Sequence, residues 1–188
     1  MRRQRKARTG LRRGFTLVEV MVVMTVVAAS QGNYSGAIDM ARQTKCAGNL
    51  RSAWTSIQMY EMTNGKLPRA AFYPKDPRKD KDSIIVLVRG IGPALVCDCM
   101  PDDIQARGLT FLWNDALSGK RMDQIKDPSH TWMLMEMSVV ANKPPHRGGY
   151  NVLYADGQVR WTKEIPADIA KAVEAAEKKK KEEAARKK

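Results

Sequence analysis

A single carboxylate, Glu19, stands inside a run that is otherwise almost wholly apolar: Phe15-Thr16-Leu17-Val18-Glu19-Val20-Met21-Val22-Val23-Met24-Thr25-Val26-Val27-Ala28-Ala29. An acidic side chain near the middle of a bilayer costs about 2.5–3.5 kcal/mol on insertion scales. Glu19 therefore needs a partner, and that need constrains both fold and function. Seven basic residues precede the run (Arg2, Arg3, Arg5, Lys6, Arg8, Arg12 and Arg13), and none of the first fourteen residues is acidic. A basic end ahead of an apolar stretch stays on the cytoplasmic side of a membrane. A secretory signal peptide has a comparable apolar length, and Val27-Ala28-Ala29 loosely supplies its small-residue cleavage site. That reading leaves the Gly14-Phe15 junction and Glu19 without a role.

The words Arg13-Gly14-Phe15-Thr16-Leu17-Val18-Glu19-Val20 resemble the N-terminus of the type IV pilin and type II secretion pseudopilin family. In that family a membrane aspartyl peptidase cuts after the glycine and methylates the new terminus. The resemblance implies cleavage between Gly14 and Phe15, an N-methylated Phe15 amine, and pairing of Glu19 with the terminal amine of a neighbouring subunit during assembly. The energetics agree, because a charge in a low-dielectric setting is tolerable only beside a partner. One departure concerns length. Residues 15–29 span about 22 Å as a helix, against a hydrocarbon core of about 30 Å. Ser30-Gln31-Gly32-Asn33 then interrupts the run, and Gly32 and Gly36 lie where many family members carry a proline. Spanning a membrane here calls for local thinning or for packing beside other subunits.

At 188 residues the chain holds one domain with appendages. Its net charge of +13 suggests a nucleic-acid partner until the charge is located. The leader carries +7 and residues 171–188 carry +4, which leaves +2 for everything between. The central part thus lacks a concentrated basic face to track a phosphate backbone. With 6% aromatic residues it also has few platforms for stacking bases. Nucleic acid is not the expected partner.

The cysteines are Cys46, Cys97 and Cys99. With the domain outside the cytoplasm, disulfides persist, so Cys46 is expected to bridge Cys97 or Cys99 and leave one thiol free. Zinc needs a fourth ligand, which His146 or His130 would have to supply, and Cys97-Asp98-Cys99 is tighter than ordinary zinc spacing. No metal site and no cofactor is expected.

Along the body, Cys46, Leu50, Ala53, Ile57 and Tyr60 recur at helical spacing, Trp54 widens the stripe, and Asn64-Gly65 ends it ahead of Pro68. A helix over 35–64 is expected to continue from the apolar run as a spine. Residues 69–82 read as a loop. Ser83-Ile84-Ile85-Val86-Leu87-Val88 fits a buried strand or a helix segment equally, and Gly90-Ile91-Gly92-Pro93 breaks it. Brief strands are expected at 110–113 and 131–136. Asp156-Gly157, between Tyr150-Asn151-Val152-Leu153-Tyr154-Ala155 and Gln158-Val159-Arg160-Trp161, predicts a two-residue hairpin turn with both turn residues at positive φ. The tail from 167 reads as a solvated helix. Glu174 with Lys178, Glu177 with Lys181, Glu182 with Arg186 and Glu183 with Lys187 are favourable i,i+4 pairs.

A second resemblance covers much of 14–161. His146, nine residues, then Asp156-Gly157 is similar to a motif near the C-terminus of a large group of bacterial pilin-like proteins, described as an H-x9-DG domain associated with prepilin processing. Cys46-Ala47-Gly48-Asn49-Leu50-Arg51 resembles that group's cysteine-x-x-asparagine-leucine segment. Asn64-Gly65-Lys66-Leu67-Pro68 and Asp127-Pro128-Ser129 also have counterparts, and the stretch from Cys97 to Asp102 looks like the group's cysteine-proline-x-aspartate word with residues displaced. The group often has a histidine after Asp-Gly, where this chain has Gln158. His146 and Asp156 are expected to hydrogen-bond around the hairpin and fix its start and turn, with a metal or ligand site between them as the sharper alternative.

The expectation is an α+β chain: a leader 1–14, an apolar helix 15–38, a globular domain 39–166 and a charged tail 167–188. The long N-terminal helix packs on a small antiparallel sheet. No nucleophile and base stand in a recognisable constellation, so no enzyme is expected. The implied role is a single-pass inner-membrane subunit of a type IV pilus or pseudopilus. Its implied partners are a prepilin peptidase and other pilin subunits. The rival is a membrane-tethered extracytoplasmic protein that binds DNA or glycan and does not polymerise.

Overall fold

Thr16 and Glu19 open the first helix, α1 (Leu17–Asn64), as a reciprocal capping box in the computed structural model, which describes residues 15–186. The Glu19 amide donates to Thr16 Oγ1 at 3.2 Å, and Thr16 N donates back to Glu19 Oε2 at 2.8 Å. Two donors that a helix start leaves orphaned are satisfied in this way. At the other end Gly65 takes φ +72 and returns its N–H to Glu61 O at 2.7 Å, the left-handed cap that glycine adopts without a Cβ penalty. The leader 1–14, with the expected cleavage residue Gly14, and Lys187 of the tail pair lie outside the described residues.

The fold is α+β, and the chain divides into two compact units, Met1–Ile38 and Asp39–Lys188. In the first unit the described apolar side chains are exposed, with Phe15 at 84% and Met24 at 66%. Among the described residues, no helix is long and apolar enough to cross a membrane. This accords with the short run 15–29.

In the second unit four antiparallel strands follow chain order: β1 (Phe111–Trp113), β2 (Trp132–Glu136), β3 (Tyr150–Tyr154) and β4 (Val159–Thr162). Alternation sends Phe111, Trp113, Leu134 and Leu153 into one core with Cys46, Leu50, Ala53 and Ile57 of α1. It sends Leu112, Met135, Val152 and Tyr150 into another with Ile169 of the last helix, α4 (Ala167–Arg186). Covering both faces explains why Trp132-Met133-Leu134-Met135-Glu136 is buried throughout rather than at every second residue. Each fully buried Leu or Ile of the α1 stripe contributes about 1.5–3 kcal/mol.

The structure resolves the ambiguous apolar run in favour of helix. Residues Ile84–Leu87 form α2, and α3 (Asp102–Ala106) follows a 3₁₀ turn at Gly92–Leu95. None of the tail matches Glu174–Lys178, Glu177–Lys181 and Glu182–Arg186 is among the described ion pairs, and α4 packs through buried Ile169 and partly buried Ala172 and Val173.

The Asp-Gly turn differs from expectation. Tyr154 N donates to Gln158 O at 2.9 Å and Gly157 N to Tyr154 O at 3.0 Å, so residues 155–157 form a three-residue loop. Gly157 sits at φ +83, whereas Asp156 is not in the positive-φ region. Asp156 instead accepts from Gln158 N at 2.9 Å through Oδ1, a side-chain bond that holds the turn from within. The two-residue turn with consecutive positive φ lies upstream. His146 and Gly149 exchange backbone bonds of 3.2 and 2.9 Å across Arg147 (φ +51) and Gly148 (φ +76). Gly157 has a second reason to lack a side chain, because a Cβ there would lie 2.6 Å from Trp54 Nε1. Gly157→Ala is expected to cost about 2–4 kcal/mol, from about 1–2 kcal/mol of left-handed backbone strain plus the indole clash. A denaturation double-mutant cycle with Trp54→Phe should recover part of the clash and none of the φ cost.

Candidate functional site

Glu136, at the end of β2, faces the α1 side of the sheet together with Asn151 of β3. It is fully buried, the one buried acidic side chain among the described residues. Its carboxylate accepts three bonds. His146 Nε2 reaches Oε1 at 2.8 Å, Asn151 Nδ2 reaches Oε1 at 3.2 Å, and Asn151 N reaches Oε2 at 3.0 Å. A buried carboxylate with three donors is well compensated. The far ring nitrogen of His146, Nδ1, is buried with no hydrogen-bond partner among the described residues. A ring protonated on both nitrogens would bury an N–H with no acceptor, so a single hydrogen on Nε2 fits the surroundings.

The sulfurs lie beside this pair. Cys46, on the buried stripe of α1, is joined to Cys97 across 51 residues, with Cα atoms 5.6 Å apart. His146 Nε2 is 3.4 Å from Cys97 Sγ. The Cys97 segment is fixed from two directions. Thr110 Oγ1 accepts from Cys97 N at 2.8 Å, and Asn49, one turn beyond Cys46 on α1, donates through Nδ2 to Val96 O at 3.0 Å. Thus Cys46 and Asn49 of the cysteine-x-x-asparagine-leucine segment both clamp the same strand of backbone. Lys45 and Asp98 add an exposed ion pair at this seam, worth little by itself.

His146 is also held through its main chain, since Trp161 Nε1 donates to His146 O at 2.9 Å. A Cβ on Gly149 would lie 2.5 Å from the same indole. The two ends of the histidine–aspartate–glycine motif therefore serve different places. His146 starts the hairpin through its backbone and sends its ring to Glu136 and Cys97. Asp156 shapes the turn and lies 3.3 Å from Arg160 Nη2. The expected bond between the two around the hairpin is not among the described hydrogen bonds. Glu136 and Asn151 carried no spacing signal. The one available cue was a lone acid in the apolar word Trp132-Met133-Leu134-Met135-Glu136.

His130 is elsewhere and exposed, with Nδ1 3.0 Å from Asp127 Oδ2. Its hydrogen bond, followed by that of Ser129, holds the Asp127 carboxyl below the usual carboxylate range. Cys99 is the remaining thiol and is partly buried. Burial pushes its pKa up; Arg42 opposes that shift, and Glu136, Asp98 and Asp39 reinforce it. Under non-reducing conditions iodoacetamide should add one label per chain, at Cys99, slowly near neutrality and faster as pH rises through the alkaline range. Labelling of Cys46 or Cys97, read by peptide mass, would contradict this pairing.

Residues 11–30 match the model of the prokaryotic N-terminal methylation motif. That match supports a prepilin-like protein, one that a prepilin peptidase processes and the inner membrane anchors. No curated protein and no solved structure matches the chain significantly.

Proposed function

We propose that the chain is a non-catalytic structural subunit of a type IV pilus or of a type II secretion-like pseudopilus. The leader is removed after Gly14, Phe15 becomes an N-methylated amine, and subunits polymerise through the helix that begins there. The methylation motif at 11–30 carries this reading. The exposed apolar surface from Phe15 to Val27 supports it, because contiguous apolar surface of this kind marks membrane or protein contact. Being too short to cross a bilayer unaided, that segment gains most from neighbouring subunits. We read the His146 to Gly157 motif as architectural: His146 ties the hairpin to the α1 seam, and Gly157 lets the hairpin tip reach Trp54.

The mature N-terminus tests this. Mass spectrometry of protein purified from membranes should find Phe15 carrying one added methyl group. A terminus near Ser30 would instead indicate a cleaved signal peptide and remove the basis for assembly. If Phe15 is correct but no crosslinked ladder forms through the N-terminal helix, a tethered binding protein replaces the polymer.

A further inference from the structure

Cys46 Sγ, Cys97 Sγ, a Glu136 carboxylate oxygen and a His146 ring nitrogen all lie within 4.8 Å of one another, and all four residues are buried. Two sulfurs, an imidazole and a carboxylate make a four-donor set that suits zinc, and one that calcium and magnesium, which prefer oxygen, do not match. While the sulfurs are bonded to each other they are poor ligands, since the thiolate is the form that binds metal. We infer that the reduced chain binds one zinc ion through Cys46, Cys97, Glu136 and His146, so that a metal and a disulfide are alternative clamps at one seam between α1 and the sheet.

The conversion balances. A dithiol reductant gives two electrons and two protons to the Cys46–Cys97 bond and leaves as its own disulfide. The two thiols then release those protons as zinc takes their place. The imidazole moves its single hydrogen from Nε2 to Nδ1 and stays neutral. Two thiolates, one carboxylate and Zn²⁺ sum to one negative charge, the same as a Glu136 carboxylate beside a neutral ring. Metal binding therefore adds no net buried charge, and the large cost of burying an extra one is avoided.

One ligand pair already stands at zinc spacing, while the two bonded sulfurs must part to about 3.8 Å. Zn–S of about 2.3 Å and Zn–N of about 2.0 Å place tetrahedral S and N ligands about 3.5 Å apart, and Cys97 Sγ stands 3.4 Å from His146 Nε2. The 2.8 Å contact between His146 and Glu136 must open to about 3.3 Å to admit the ion. Asn151 N holds Oε2 at 3.0 Å and orients the carboxylate from behind. Nδ1, which carries the ring hydrogen in the zinc form, has no acceptor among the described residues, and a missing outer contact weakens a metal site by about 10–100-fold. The site should bind zinc measurably and less tightly than a fully supported one.

The test uses the full-length chain in detergent, stripped of metal and reduced with a phosphine, which takes oxygen from water as the two hydrogens pass to the sulfurs. Cobalt serves as a visible substitute for zinc. Reduced protein should bind one Co²⁺ per chain, with thiolate-to-cobalt charge-transfer absorption and tetrahedral d–d bands, and oxidised protein should show neither. Zinc should displace the cobalt, and His146→Ala should weaken binding by at least about tenfold. The inference falls if the reduced, folded chain develops no charge-transfer band. It falls equally if the same band appears in oxidised protein or in the Cys46→Ser, Cys97→Ser variant, since ligation would then rest on Cys99. Should reduction abolish the near-ultraviolet circular dichroism, zinc must restore it, as coupled metal folding requires; failure to restore it also overturns the site.

Discussion

Replacing Glu136 by alanine should destabilise the globular unit by about 3–5 kcal/mol, a large part of the 5–15 kcal/mol that holds an ordinary domain together. The loss comes from what the carboxylate leaves behind. His146 Nε2, Asn151 Nδ2 and Asn151 N all donate to it, and each stranded buried donor costs about 1–3 kcal/mol, less than additively. Glu136→Gln keeps an acceptor and should cost less, about 1–3 kcal/mol. The double variant Glu136→Leu, His146→Leu removes the carboxylate and the ring together but still strands Asn151 N, while Asn151 Nδ2 keeps its 3.5 Å contact with Gln43 O. It should fall between the alanine variant and wild type, where a simple ion pair replaced by apolar residues would be close to neutral. Urea denaturation of oxidised protein gives the ranking. An alanine variant within about 1 kcal/mol of wild type would mean that water reaches the donors the carboxylate leaves behind.

On the proposed role in assembly, Glu19→Gln should be processed normally yet enter filaments at least about tenfold less efficiently. A charge-assisted hydrogen bond contributes roughly 1.5–3 kcal/mol, and 1.4 kcal/mol is already a factor of ten in association. Glutamine is the informative replacement because Glu19 has a local task as well. Its carboxylate closes the capping box with Thr16, and glutamine performs that task nearly as well. If capping were the whole role, Glu19→Gln would assemble and Glu19→Ala would not. If the charge pairs with a neighbouring subunit's amine, both variants fail. Pulldown of tagged subunits from sheared filaments, with the mature N-terminus verified in parallel, separates assembly from processing. Normal incorporation of Glu19→Gln would reduce Glu19 to a helix cap.

Local signals were legible in proportion to how little they depended on distant residues. Residues 11–30 announce themselves, because a glycine–aromatic junction and a lone glutamate in an apolar run are chemical oddities within a single stretch. The α1 stripe from Cys46 to Ile57 was equally readable, since helical spacing and the Asn64-Gly65 stop are intrinsic to the chain. So were the strands around 111, 132, 150 and 159, and the tail helix. The Asp156-Gly157 pair marks the place of the turn at 155–157 but not its type: Asp156 bonds the Gln158 amide instead of adopting positive φ, and a competition between two local conformations is not settled by composition.

The buried cluster belongs to the tertiary structure. Three cysteines allowed more than one pairing, and Cys97 meets Cys46 because Asn49 and Thr110 seat its backbone against α1. Cys97 and His146 are 49 residues apart in sequence. Glu136 and Asn151 become partners because strand register puts both on the face that looks towards α1. Amino-acid pattern specifies short-range conformation through steric preference and periodic burial. Which donors surround a buried acid depends on loop closures and sheet register, and those are properties of the packed chain as a whole.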